Sequence, residues 1–234
     1  MPLPQPAPWA LPPDLPWPQF LRLLRRPEPP PGWLAAAADL PELQKRPLLL
    51  RWIAQHPKAP AHLRARLLPR LPWRSLAAVA ADAGAHPQAK QQATEKLQHL
   101  WAGLTAGERR SLAPQAPRPL WPLVWRTPSP GVLEAFLRHP HLGLEGLLAL
   151  VQPPLRPAQA EALAGSPWFG ASPLAEQVLV ILDRTLALPE SGLALGHGAP
   201  WIKALEPAER IRIANRITTP ALRRMVHPRR PQAD

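Results

Sequence analysis

Beyond about residue 19 the chain alternates apolar runs at helical spacing with Pro or Gly, each run lasting about eight to fourteen residues. The first runs are Phe20, Leu21, Leu23 and Leu24, then Leu48, Leu49, Trp52 and Ile53 behind Pro47, a proline tolerated in a first helical turn. Leu63, Leu67 and Leu68 follow, then Leu76, Val79 and Ala80, then Ala93, Leu97, Leu100 and Trp101. The middle of the chain carries Leu120, Val124 and Trp125, then Val132, Leu133, Phe136 and Leu137, then Leu144, Leu147, Leu148 and Val151. The series closes with Leu174, Val178, Leu179 and Ile181, and with Ile211, Ile213, Ile217 and Leu222. This pattern predicts many short helices. Strand signals are nearly absent, since there is no sustained alternation of period two and no Asn-Gly or Asp-Gly hairpin.

Pro30, Pro57, Pro87, Pro114, Pro140 and Pro167 stand at successive spacings of 27, 30, 27, 26 and 27 residues. Three of them sit in His-Pro dipeptides, His56-Pro57, His86-Pro87 and His139-Pro140, and Ser166-Pro167 puts a capping residue in the same place. An apolar helix follows each at a comparable offset, beginning with Leu63, Ala93, Leu144 and Leu174. A proline ends one helix and sets the turn into the next, so each unit reads as a helical hairpin that hides its apolar stripe against its neighbours.

The stretch LLRWIAQHPKAPAHLRARLLPRLPWRSLAAVAADAGAHPQAKQQATEKL, with GERRSLAPQAPRPL, VLEAFLRHP and ALAGSPWF, resembles the bacterial HEAT-like and leucine-rich-repeat-variant proteins over about residues 40 to 185. Repeats of that kind are two short helices with a proline turn. The resemblance implies an all-α fold, a right-handed α-solenoid of about five or six hairpins. The leucine-rich-repeat-variant type can carry a cysteine-ligated cluster domain, which a chain without cysteine excludes. The expected organisation is a Pro-rich arm at residues 1–18, HEAT-like repeats at 19–188, an irregular loop and capping helices at 189–226, and a basic tail at 227–234. The arm is expected as polyproline II, because each proline disfavours helix at the residue before it.

Composition removes whole classes of chemistry. The 234 residues include 37 Pro and no Cys, so disulfides, thiolate metal sites and cysteine nucleophiles are excluded. The first residues lack the unbroken apolar core of a secretory signal, and nowhere is there an apolar run of membrane-spanning length, so a soluble cytoplasmic protein is expected. His139 and His141 are the tightest histidine pair, but no carboxylate stands at metal-ligand spacing, and the His-Pro dipeptides read as turn residues. Asp82, before Gly84, reads as a turn aspartate accepting backbone N–H groups. Phosphate-loop and nucleophile-elbow motifs are missing, so neither a cofactor nor an enzymatic activity is expected.

Charge is the remaining functional signal. Residues 20–130 hold 17 Lys and Arg against six acids, residues 131–202 hold three against six, and residues 203–230 hold eight against two. The basic residues singled out for binding are Arg64, Arg66, Arg70 and Arg74, then Arg109, Arg110, Arg118 and Arg126, then Arg212, Arg216, Arg223 and Arg224. Trp52, Trp101, Trp121 and Trp125 lie in apolar runs and are expected in the core, whereas Trp9, Trp17 and Trp201 lie in looser contexts that permit exposure. The expected function is a non-enzymatic scaffold for a protein partner with an acidic surface or segment. The alternative is nucleic-acid binding. HEAT-like alkylpurine DNA glycosylases are similar in size and charge, although their motif finds no residue-by-residue match here.

Overall fold

The computed structural model describes Gln19, Arg22 and residues 27–29, 32–188 and 192–227. The Pro-rich arm, with Trp9 and Trp17, and all but His227 of the basic tail lie outside the described residues. Those described are helical throughout, with fifteen α-helices, several short 3-10 turns and no strand. Proline occupies the first or second position of ten of these helices. It therefore starts helices as well as ending them, since its fixed φ suits a first turn whose N–H would lack an intrahelical partner.

Two compact units divide the chain, Met1–Gly103 with Pro117–Leu120, and Leu104–Ala116 with Trp121–Asp234. The first contains α1 (Trp33–Asp39), α2 (Pro41–Gln44), α3 (Pro47–Gln55), α4 (Ala61–Leu67), α5 (Trp73–Ala81) and α6 (Pro87–Trp101), with 3-10 turns at Leu68–Arg70 and Arg118–Leu120. Here α3 packs on α4 and α5, and α6 packs on α4 and α5. The core consists of Ile53, Leu63, Leu67, Leu76, Val79 and Leu97, all sealed from solvent. The Gln55 amide bonds Asp82 at 2.9 Å, joining the ends of α3 and α5, and the Gln98 amide reaches the Pro119 carbonyl at 3.0 Å.

The second unit contains α7 (Ala106–Leu112), α8 (Trp121–Trp125), α9 (Pro130–Leu137), α10 (Leu144–Leu150), α11 (Pro157–Ala164), α12 (Ser172–Leu186), α13 (Ala199–Ala204), α14 (Pro207–Ala214) and α15 (Pro220–Val226). Within it α9 packs against α7 and α11, α10 against α8 and α12, and α12 against α13 and α14. Phe136, Leu133, Leu147, Leu163, Leu174 and Ile213 fill the interior. Trp201 is wholly buried and meets Phe169 edge to face at 5.2 Å, although its irregular Gly-rich context permits exposure. Two predicted core positions are exposed instead, Leu48 and Ile211.

One turn design recurs after α3, α5 and α9. His56, Asp82 and His139 each accept the backbone N–H two residues on, at 3.1, 2.9 and 3.1 Å, and their carbonyls accept from the residue three on. That third residue, Ala59, Ala85 or Leu142, is buried. The counterpart of His56 in the next hairpin is therefore Asp82, the expected turn aspartate, and not His86 four residues later. His86 instead caps the start of α6, its Nδ1 accepting from the Gln88 N–H. The proline spacing concealed this offset because Pro57 lies in a turn and Pro87 opens a helix.

Candidate functional site

Arg64, Arg66, Arg70 and Arg74 form no single stripe. Arg64 is 5% exposed, and its guanidinium turns back to the Ala59 carbonyl at 2.6 Å, at the start of its own helix. Arg64 is thus removed from the set of surface-binding residues, because a side chain so enclosed cannot meet a partner. Arg66 is exposed and pairs with Asp39 at 2.8 Å. Arg74 lies over the Trp73 ring at 5.2 Å from its centroid, a cation–π contact, and Arg70 is exposed four residues earlier. No carboxylate pairs with Arg70 or Arg74 among the described residues. Arg118 is exposed on the 3-10 turn of the same unit.

In the second unit, Arg109 and Arg110 stand in α7, which Thr105 and Glu108 close with a reciprocal capping box. Arg110 lies along the first turn of α9, its Cδ 3.9 Å from where a Cβ on Gly131 would be. Arg126 is exposed before α9, and its carbonyl accepts from the Arg156 guanidinium at 2.6 Å. Arg212 and Arg216 share Glu176, the former by a direct hydrogen bond and the latter at 3.6 Å. That hydrogen bond and the adjacent charge raise the Arg212 pKa. Arg223 spends its guanidinium on the Ile217 carbonyl, at 2.9 and 2.6 Å, while Arg224 is exposed.

Sequence reasoning missed three polar side chains that hold elements together. Asp183 in α12 is buried and accepts from the backbone N–H and the hydroxyl of Thr218 and from the backbone N–H of Thr219, each at 2.8 Å. Burial raises its pKa, but hydrogen bonds from Thr218 and Thr219 outweigh burial and hold it below the usual aspartate value. Gln159 in α11 donates to the Trp125 carbonyl at 2.8 Å, and Gln177 in α12 bridges the carbonyls of Leu148 and Val151. Glutamine at a helical position carries no sequence signal for such a role. Ser172 donates to Glu209, whose pKa is lowered by that bond first and by the Glu206 N–H second.

Among the described residues no three His, Asp or Glu side chains gather where they could hold a metal ion, and no helix is long and apolar enough to cross a membrane. Compared with protein-family models, curated proteins and solved structures, the chain matches none.

Proposed function

We propose that the chain is a non-enzymatic helical-repeat scaffold, a right-handed α-solenoid of HEAT-like hairpins working in the cytoplasm, that captures a protein partner carrying an acidic segment. Neighbour-to-neighbour packing supports the repeat reading: α9 lies against α7 and α11, and α10 against α8 and α12, as stacked hairpins require. The shared turn after α3, α5 and α9 supports it as well.

The observation that carries the binding reading is the uncompensated charge of Arg70 and Arg74. In the same unit Glu28, Asp39 and Glu42 are already matched to Lys58, Arg66 and Lys45. Arg70 and Arg74, the latter stacked on Trp73, offer guanidinium forks to carboxylates. Arg70→Glu with Arg74→Glu is expected to weaken binding of a labelled Asp/Glu-rich peptide by about tenfold or more, with helical circular dichroism unchanged. Arg138→Glu with Arg184→Glu makes the same charge change at exposed sites elsewhere and is expected to cost far less. Equal losses in both double variants would mean that net charge, not this corner, holds the peptide.

A further inference from the structure

The turn between α9 and α10 rests on a histidine whose two ring nitrogens have opposite duties. His139 Nδ1 accepts from the His141 backbone N–H at 3.1 Å, so the ring proton sits on Nε2 and donates to the Ala116 carbonyl, also at 3.1 Å. The same carbonyl accepts from Trp121 Nε1 at 2.9 Å. One backbone oxygen, just past the 3-10 turn that extends α7, thus gathers α8 and the α9–α10 turn. The ring is 7% exposed, with Trp121 edge to face at 5.2 Å and Phe136 at 6.3 Å.

A second ring proton has no acceptor here. It would point at the His141 N–H, donor against donor, and place a cation in an aromatic setting that burial has dried. The ring of His141 lies 5.7 Å away and would repel the cation if charged. The other charged groups on the packed elements are Glu134 and Arg138 of the α9 segment, Glu145 of α10 and Glu161 of α11, all exposed, and Glu108, Arg109 and Arg110 of α7, while residues 113–116 and α8 supply none. Among the described residues no carboxylate is ion-paired with the ring. Burial lowers the His139 pKa, the Ala116 bond opposes this, and His141 adds to the lowering.

We infer that His139 is a proton-sensitive latch: neutral, it ties the α9–α10 turn to Ala116 through both ring nitrogens, and protonated, it keeps the Nε2–H bond to Ala116 but loses the Nδ1 acceptor of the His141 N–H and so loosens the turn. Because the folded state favours the neutral ring, the stabilisation is complete above the ordinary histidine value of 6.5 and is lost as pH falls through the window below it. His86 makes the same Nδ1 bond at the start of α6 but is only half-buried, which makes it the internal control.

The test is side-chain nitrogen NMR of the labelled full chain from about pH 8 to pH 5, read beside amide exchange corrected for its intrinsic pH dependence. His139 is expected to hold the Nε2–H tautomer, to titrate below the ordinary value, and to lose about tenfold in protection at the His141 and Leu142 amides as it charges. His139→Gln should remove the acid-induced step, and His86→Gln should leave it intact. Titration at the ordinary value with unchanged turn protection would overturn the latch, as would a His139→Gln profile superimposing on the unsubstituted protein. Should His139→Gln fail to fold, titration of the unsubstituted protein decides alone.

Discussion

At the scale of single residues, buried ions separate what hydrophobic pattern reveals from what it hides. Asp183 stays ionised inside the second unit because two consecutive threonines supply its hydrogen bonds. Asp183→Asn turns part of that acceptor into a donor facing N–H groups, and is expected to cost about 1–3 kcal/mol in denaturant unfolding. Since its folded pKa lies below the ordinary 3.8, the carboxylate's contribution is intact above that value and is lost as pH falls through the folded pKa. An acid limb that persists unchanged in Asp183→Asn would place the sensitive carboxylate elsewhere. Arg64 shows the converse. With Leu63, Leu67 and Leu68 it falls on one helical stripe, so its burial was legible from spacing, but its charge drew it into the surface set instead.

At the scale of elements, short helices depend on their ends. The seven-residue α7 has a hydroxyl at its N-cap, and Thr105→Ala removes the half of the capping box that the hydroxyl makes with the Glu108 N–H and carboxylate, leaving the backbone N–H of residue 105 on Glu108. A loss of about 0.5–2 kcal/mol in thermal or denaturant unfolding is expected, with Thr105→Ser nearly neutral. Packing sets the other limit. Gly198 lies so near α12 and α15 that an added Cβ would stand 3.0 Å from Leu182 and 3.2 Å from Leu222. Gly198→Ala is expected to destabilise by about 1–3 kcal/mol, and a neutral result would mean that both leucines repack freely. Apolar spacing located the helices around Ile53, Leu97, Phe136 and Val178 well, because each buries a narrow stripe. It could not give the turn register, since a histidine, an aspartate and a second histidine serve one acceptor role, and proline marks both turns and helix starts.

At the scale of the molecule, 28 Lys and Arg against 16 acids leave a positive field that helix packing does not neutralise. Composition made that excess legible, but not its distribution: Arg66, Arg212 and Arg216 are taken by acids, Arg223 by a carbonyl, and Arg64 by burial. Arg70 and Arg74, exposed and unmatched by any acid among the described residues, are the cations on which the proposed binding rests. The decisive measurement is fluorescence anisotropy of the nucleic-acid-free protein with an acidic peptide and with a single-stranded oligonucleotide of equal charge, from about 50 to 200 mM salt. The scaffold account predicts peptide binding that survives at the upper end of that range and weakens on Arg70→Glu with Arg74→Glu. Retained oligonucleotide binding with the peptide already released would contradict it and make a phosphate backbone the natural occupant.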